Sequence, residues 1–252
     1  MTEFGVLARD ALLLVRPGML IMGSPFLGGT FAPTQVRAGL TLLLALLLAP
    51  SIATPAEITG VGLVLVVARE VAIGIALALG VRLISAVAEF AGQLTGYQVG
   101  LSYGSIVDPQ SGVANSTIAT IYSSLTIVLC FATNVHHAWL RALAASYQAL
   151  PIGIGAIDTH LGTLTASMLG MVFVFGTQLA APVIVVMLLV EVVMGLATRI
   201  APSLNMMVIG APARMPIGLL VVAFTVTAMP TLVSKFAPAA LRLAVETARA
   251  FR

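Results

Sequence analysis

The sequence predicts an all-α membrane protein built from several long helices. Three observations support this class: 60% of the 252 residues are hydrophobic, only 8% are charged, and the mean hydropathy is +1.10. An average soluble domain has roughly 25% charged residues. Several apolar runs reach the roughly 20 residues that a helix needs to span the hydrocarbon core, and their Leu, Ala and Met content favours helices over the strands of an outer-membrane barrel.

The charge and cysteine content narrow the class further. The formal net charge of +3 comes from scattered arginines without a basic run, so no nucleic-acid partner is indicated. The single cysteine, Cys130, lies in an apolar stretch, cannot form an internal disulfide and is interpreted as a core residue. The first fifteen residues lack the basic start, short apolar core and cleavage site of a secretory signal, so we expect no cleaved leader.

The first two predicted helices differ in polarity. The first, Phe4–Ile21, carries several charges and contains Pro17, which is expected to bend or interrupt it. We expect this helix to be peripheral or to pack on protein. The second, Ala38–Ala49, is rich in leucine, free of charge and ended by Pro50, so it can face lipid.

A third predicted helix, Ile58–Leu79, is long enough to span but places Arg69 and Glu70 at its middle. A charge there costs at least about 2.5 kcal/mol on insertion scales. Both residues therefore need partners inside protein.

A fourth helix is predicted from about Arg82 to Tyr103, and a glycine ladder of Gly92, Gly96, Gly100 and Gly104 extends along it and one residue past its end. Glycines four residues apart leave a groove without side chains, in which another backbone can approach closely. The polar residues before and between them, Glu89, Gln93, Gln98 and Ser102, would be costly in hydrocarbon if they were unpaired. We expect this helix to face protein or a water-filled passage.

The ladder leads into a polar loop that is broken by Asp108-Pro109 and continues through Gly112. After the loop, the pattern predicts a helix from Thr117 to Thr133, an interruption at Asn134, and an amphipathic helix from Ala138 to Leu150.

The C-terminal third is predicted to contain two apolar segments. Leu161–Val190 is free of charge for about thirty residues, which favours one bent helix or a tight pair, with Glu191 following on the same helix. Pro202–Pro216 is predicted to form a re-entrant segment before an apolar helix, Ile217–Met229. The basic segment Ser234–Arg252 then has the pattern of an interfacial helix.

The intramembrane charges Arg69, Glu70, Glu89 and Glu191 allow two interpretations. Carboxylates within a membrane are candidates for a proton relay in an ion-coupled transporter. Alternatively, the four residues form structural ion pairs between neighbouring subunits.

Two enzyme-like patterns in the sequence also have structural explanations. Gly100-Leu-Ser102-Tyr-Gly104 matches the G-x-S-x-G nucleophile pattern, with Asp108 and either His136 or His137 following, as in an intramembrane serine protease. No strand precedes Ser102, and the ladder already explains the glycines. The adjacent His136 and His137 lack further ligands at metal-binding spacing, so a capping or hydrogen-bonding pair is favoured over a metal site.

Five motifs in register resemble the FliR family, which comprises the flagellar biosynthetic protein FliR and its counterparts in type III secretion injectisomes. The resemblance covers almost the whole chain. The motifs are Gly100-Leu101-Ser102, Val107-Asp108-Pro109, Asn134 with His136, Leu150-Pro151-Ile152-Gly153, and Pro202 with Asn205, Gly210 and Pro212.

The resemblance implies an export gate in which one FliR-like subunit closes a helical ring with FliP-like and FliQ-like subunits. Residues 1–252 would then form one membrane domain, with a FliP-like part at 1–165 and a FliQ-like helical hairpin at 166–252. A loop at about 102–117, containing Ser102, Val107, Asp108, Pro109 and Gly112, would plug the closed channel.

The predicted function is therefore a non-enzymatic subunit of the flagellar-type (type III) protein export gate, required for flagellum biosynthesis and placed in the bacterial inner membrane at the flagellar basal body. Its implied partners are FliP-like, FliQ-like, FlhB-like and FlhA-like subunits and unfolded exported proteins, and no cofactor or metal is expected. An ion-coupled transporter and an intramembrane serine protease are the alternatives.

Overall fold

The structure is a computed structural model that describes residues 3–28, 32–52, 61–101, 116–153, 161–201 and 206–251. These residues form α-helices joined by short turns, and no strand occurs among them. The fold class predicted from composition is thus confirmed. The helices are α1 (Glu3–Gly23), α2 (Thr34–Leu48, followed by a 3-10 turn at Ala49–Ser51), α3 (Val61–Val99), α4 (Thr117–Ala132), α5 (Val135–Ala149), α6 (Leu161–Ile200) and α7 (Met206–Arg249).

Two of the predicted helix boundaries are wrong in the first half of the chain. The helices predicted at Ile58–Leu79 and Arg82–Tyr103 are one continuous helix, α3, of 39 residues. Gly80 alone does not break it, because a helix interior tolerates an isolated glycine at a cost of about 1 kcal/mol. Pro17 lies inside α1, which continues to Gly23, so this proline does not interrupt the helix.

The end of α3 also differs from the predicted Tyr103. The helix ends at Val99, and Gly100 follows with a φ of 93°. Its N–H donates to the carbonyl of Gly96 at 3.1 Å. A glycine in this left-handed conformation is a common helix terminator, because other residues are strained there.

The C-terminal third contains no re-entrant segment among its described residues. Residues 206–249 form one helix of 44 residues, α7, in place of the predicted re-entrant segment, apolar helix and separate basic helix. Four prolines at positions 212, 216, 230 and 238 lie within it, and all four are exposed. A proline costs a helix about 3 kcal/mol. Here the buried stripe that includes Val222, Met229 and Phe236 continues past the prolines, and its packing offsets their cost.

For residues 161–190 the sequence allows one bent helix or a tight pair of helices, and the structure has a single helix. This helix, α6, continues through Pro182 to Ile200 and has 40 residues. At 1.5 Å per residue it is roughly 60 Å long, about twice the thickness of a hydrocarbon core.

By length and composition, three of the described helices can cross a membrane: Gly62–Val99, Gly162–Ile200 and Pro212–Arg249. The pair α4 and α5, which is sharply bent at the predicted interruption, counts as a fourth if it is one span. Asn134 makes this bend with a φ of 57° and a ψ of 24°, the left-handed conformation that asparagine tolerates better than most residues.

The chain forms two compact units. The first comprises Met1–Ile84, Cys130–Gly170 and Ala237–Arg252, and the second comprises Ser85–Leu129 and Met171–Phe236. We call them unit 1 and unit 2. The division at residues 165 and 166 into FliP-like and FliQ-like parts stays a prediction.

The helices of unit 1 contact one another at small residues, which let their backbones approach closely. A Cβ on Gly74 of α3 would lie 2.8 Å from the Cβ of Met19 in α1, and one on Gly23 would lie 2.6 Å from the Cβ of Ala78. On the far end of α7 the buried stripe consists of Ala237, Ala240, Ala244 and Ala248. Short side chains at these positions allow the helices to pack closely.

Gly80 is the point where α3 meets the alanine stripe. An added Cβ there would collide with Ala244 and lie 3.2 Å from the carbonyl oxygen of Ala240.

We predict that Gly80→Val lowers the free energy of unfolding by about 1–3 kcal/mol, the usual cost of overpacking a core. The matched control is Gly39→Val in α2, since nothing lies within 4 Å of a Cβ at that position. The measurement is thermal unfolding of the detergent-purified chain, and equal unfolding temperatures for the two variants would contradict this packing.

Candidate functional site

Unit 1 contains a cluster of charged side chains that is buried between its helices. The side chains of Arg16 in α1 and Glu70 in α3 are both 0% exposed. Arg16 donates from Nε to Oε2 of Glu70 at 2.6 Å and from Nη2 to Oε1 at 2.9 Å. This bidentate pairing is the strongest geometry available to a guanidinium and a carboxylate.

The remaining donors of Arg16 point at helix α5 and the turn after it. Nη1 donates to Oγ of Ser146 at 3.2 Å, and Nη2 donates to the carbonyl of Leu150 at 2.7 Å. The guanidinium carbon lies 4.3 Å from the ring centroid of Tyr147, within cation–π range. The hydroxyl of Tyr147 in turn donates to the carbonyl of Leu13 at 3.0 Å.

Arg69 lies next to this pair but has different partners. Its Nε donates to the carbonyl of Phe251 at 2.7 Å, and its Nη1 donates to the carbonyls of Pro151 and Gly153 at 3.0 and 2.9 Å. Its nearest approach to Glu70 is 3.9 Å. Arg69 therefore holds backbone carbonyls that follow the C-terminal ends of α5 and α7, where unpaired carbonyls and the helix dipole favour a cation.

Together the two arginines donate hydrogen bonds to the Leu150-Pro151-Ile152-Gly153 turn. Three of its carbonyls, those of Leu150, Pro151 and Gly153, accept hydrogen bonds from guanidinium groups. The cluster carries two positive charges and one negative charge. The dipoles of the backbone carbonyls compensate for the excess positive charge. The sequence identifies this turn as a motif of the resemblance but gives no indication of the two arginines that bind it.

The expectation that Arg69 and Glu70 need partners inside protein agrees with this geometry, but the partner of Glu70 was missed. Arg16 is 54 positions away and lies on a helix whose charges were interpreted as peripheral. The available signal was that Arg16 lies in an otherwise apolar stretch, Ala11–Gly23, where a cation also requires a counter-ion.

The other two charges predicted to lie within the membrane, Glu89 and Glu191, belong to unit 2. Glu191 of α6 pairs with Arg214 of α7 at 3.3 Å, with side chains that are 40% and 30% exposed. Both residues belong to this chain. Because both side chains are partly exposed, the ion pair contributes little to stability on its own. Glu89 is half-buried in α3.

Gly92 of the predicted ladder lies at a close contact between α3 and α4. A Cβ on Gly92 would collide with the backbone of Ala119 in α4, lying 2.7 Å from its nitrogen. Two further glycines of unit 2 have close neighbours. A Cβ on Gly176 of α6 would lie 2.5 Å from the Phe90 ring and 3.3 Å from the carbonyl of Val87, and one on Gly218 of α7 would lie 2.6 Å from Val99. Glycines thus mark the approach of α3 to three neighbouring helices.

The core of unit 2 surrounds these contacts and includes one hydrogen-bonded pair. The hydroxyl of Tyr122 in α4 lies 2.7 Å from Oγ1 of Thr225 in α7, and Thr225 donates its own hydrogen to the carbonyl of Val222. Tyr122 is therefore the donor to Thr225. Both side chains are almost fully buried, so this bond satisfies groups that would otherwise be costly in the apolar core.

The residues assigned to the channel plug, namely Ser102, Val107, Asp108, Pro109 and Gly112, lie outside the described residues, as does Gly104. The same is true of the serine and aspartate of the protease hypothesis. His136 and His137 lie in the first turn of α5 with ring centroids 4.2 Å apart. Among the residues that the structure describes, no group of three or more His, Cys, Asp or Glu side chains is arranged to hold a metal ion.

The charged cluster yields the first prediction for this region. Glu70→Ala leaves Arg16 buried without its counter-ion, which we expect to cost about 3–5 kcal/mol of unfolding free energy. The control Val71→Ala removes only methyl groups and should cost about 1–2 kcal/mol. Thermal unfolding of the purified chain measures both.

A double variant makes this test more specific. Arg16→Met with Glu70→Leu removes both charges and should recover most of the stability that Glu70→Ala loses. Equal stability of Glu70→Ala and Val71→Ala would argue against a buried pair.

The glycine contact in unit 2 yields the second prediction. Gly92→Leu forces α3 and α4 apart, so we expect loss of folded protein in detergent extracts. Gly195→Leu in α6 is the matched control, because no atom lies within 4 Å of a Cβ there. The yield of monodisperse protein on size-exclusion chromatography distinguishes them, and comparable yields would contradict the packing argument.

Comparisons with known proteins agree with the resemblance seen in the sequence. A family model described as bacterial export proteins, family 1, matches residues 7–238. The flagellar biosynthetic protein FliR of Pectobacterium carotovorum subsp. carotovorum is 31% identical over 221 residues, which cover 86% of this chain and 83% of that protein. FliR of Caulobacter vibrioides is 30% identical over 222 residues, covering 86% and 88%.

A relative with a different name also matches. The Yop proteins translocation protein T of Yersinia pestis is 24% identical over 198 residues, covering 77% of this chain and 74% of that protein. Because the family model extends from α1 into α7 and the first two relatives are similar over most of their length, the chain belongs to the bacterial export proteins, family 1.

Proposed function

We propose that the chain is a subunit of the flagellar-type (type III) protein export apparatus, located in the bacterial inner membrane at the flagellar basal body. The observation that carries this proposal is the family match over residues 7–238, together with relatives of similar length that are named for flagellar biosynthesis. The Yersinia pestis relative is named for protein translocation. This name agrees with an export function in the wider family.

The structure supports a role inside an assembly. Helices α6 and α7 leave large apolar side chains exposed, among them Leu189, Val193, Leu220 and Phe224. Such a surface needs either lipid or protein to cover it. We propose that FliP-like and FliQ-like subunits cover much of it, that FlhB-like and FlhA-like subunits join the assembly, and that unfolded proteins pass through the channel they form.

The geometry does not favour the transporter alternative. Both oxygens of Glu70 accept hydrogen bonds from Arg16, so this carboxylate acts as a structural counter-ion. Glu191 likewise has Arg214 beside it. Neither arrangement needs a proton to move, and ion pairing explains both.

The direct test is export in cells. A strain that lacks this chain should assemble no filament and release no flagellar proteins into the medium, and the wild-type chain should restore both. Ser102→Ala should restore them as well, because the proposed role is not enzymatic. Loss of export with Ser102→Ala, at normal levels of the chain, would instead favour the protease hypothesis.

Gating has a separate test. If residues 102–117 plug the channel, then deleting residues 110–113 should populate the open state, because the deletion shortens a loop without removing a helix. We expect increased ion conductance of membranes that carry the assembled complex, compared with wild-type complexes at matched levels. Unchanged conductance with normal assembly would show that this loop is an ordinary connection.

A further inference from the structure

Helix α3 has one open side in unit 2. Of the described helices that are long enough to cross a membrane, α3 is the most buried: 67% of its apolar stretch is buried, against 22% for α6 and 28% for α7. Its open side carries Ala86, Glu89, Gln93 and Tyr97, of which Tyr97 is 48% exposed and the others are half-buried. These positions recur every three or four residues and so share one side of the helix. We call them the open stripe.

The open stripe contains a carboxylate without a partner. The carboxylates of Glu70 and Glu191 are paired with arginines, whereas that of Glu89 has neither an ion pair nor a hydrogen bond with another residue in the described ranges. The segments between those ranges contain no lysine or arginine, so they cannot supply the cation. A counter-ion for Glu89 is therefore expected from another molecule, because a half-buried charge in an apolar helix is costly when it is unpaired.

The surroundings of Glu89 limit what can cover it. Phe90, the next residue, meets the ring of Phe173 in α6 edge-on at a centroid distance of 5.1 Å, and Phe173 is 61% exposed. Lipid tails would cover these rings but would leave the carboxylate unpaired. Water would solvate the carboxylate but would leave the rings exposed. A protein surface that carries both apolar side chains and a cation satisfies the two requirements together.

The spacing of the open stripe fits a helix as the partner. Positions three and four residues apart form the seam along which two helices pack. Ala86 is small, so it allows the backbone of a second helix to come close. A helix that follows this seam would pass over Glu89 and Gln93, and a lysine or arginine on it can reach the carboxylate of Glu89.

We propose that the open stripe of α3 is the docking surface for an apolar helix of a neighbouring subunit, and that a lysine or arginine of this helix pairs with Glu89. The pair makes the contact specific, because a helix without a cation would bury Glu89 unpaired. This inference rests on the proposed function, since it requires an export assembly with other membrane subunits.

The first test uses the assembly purified through an affinity tag on this chain. The variants are Glu89→Gln, which removes the charge, and Glu89→Lys, which reverses it. The control is Glu246→Lys, the same change at an exposed position of α7. We expect Glu89→Lys to recover about tenfold less of the neighbouring subunit than the wild type, because it strands the partner's charge. Glu89→Gln should give an intermediate loss, and Glu246→Lys should give none.

The outcomes separate this contact from the proposed function. Equal recovery with all four chains would overturn the docking surface and leave the export function standing. Recovery of no membrane subunit with the wild-type chain would contradict the proposed function itself, and this inference with it.

Thermal unfolding of the isolated chain shows whether Glu89 acts within its own fold. Because its carboxylate has no partner among the described residues, Glu89→Gln should unfold at the same temperature as the wild type. A clearly lower unfolding temperature would mean that Glu89 stabilises its own chain, and it would overturn the proposal.

Photo-crosslinking identifies the occupant. Tyr97 lies about two turns from Glu89 on the open stripe, and its replacement by benzoylphenylalanine keeps an aromatic side chain there. After irradiation of cells that carry the tagged full-length chain, mass spectrometry should find crosslinks to an apolar helix of another membrane subunit that contains a lysine or arginine. The crosslink should be lost when Glu89→Lys is also present. Crosslinks only to lipid, to an exported protein or to a second copy of this chain would overturn the proposal, as would an unchanged crosslink with Glu89→Lys.

Discussion

The buried pair of Arg16 and Glu70 is the constraint on which the rest of unit 1 depends. Two charges that are both 0% exposed can remain in an apolar interior only if their geometry is good and their remaining donors are satisfied. This requirement brings α1, α3 and α5 together and gives the Leu150–Gly153 turn its partners. Arg69 extends the same arrangement to Phe251 at the end of α7. One charged cluster thus joins segments that are far apart in the sequence.

Around this cluster, small residues decide where helices meet. Gly74, Gly80 and the alanine stripe of α7 bring helix backbones close in unit 1, and Gly92 and Gly176 do so in unit 2. Association without large side chains relies on dispersion between closely packed atoms, as it must where lipid is as apolar as the helices themselves. The long helices α6 and α7 keep large apolar side chains exposed, which is consistent with a subunit of the export apparatus whose surface is completed by other proteins and by lipid.

Much of this architecture could be predicted from the sequence, because composition and helix-length apolar runs reflect the membrane environment directly. The interruption at Asn134 and the need of Arg69 and Glu70 for protein partners were also predicted. Arg16 was not identified as the partner of Glu70, since nothing local links positions 54 residues apart. The continuity of α3 and α7 was missed for a related reason: glycine and proline are local signals, whereas the packing that carries a helix through Gly80 or Pro230 is tertiary.

The central claim is that this chain acts as one part of a larger export assembly. The most direct measurement is native mass spectrometry of the complex that is purified through an affinity tag on this chain from cells with an active export apparatus. The account predicts one copy of the chain bound to several copies of at least two other membrane subunits. Recovery of the chain alone, or only with further copies of itself, from cells that still export would contradict it.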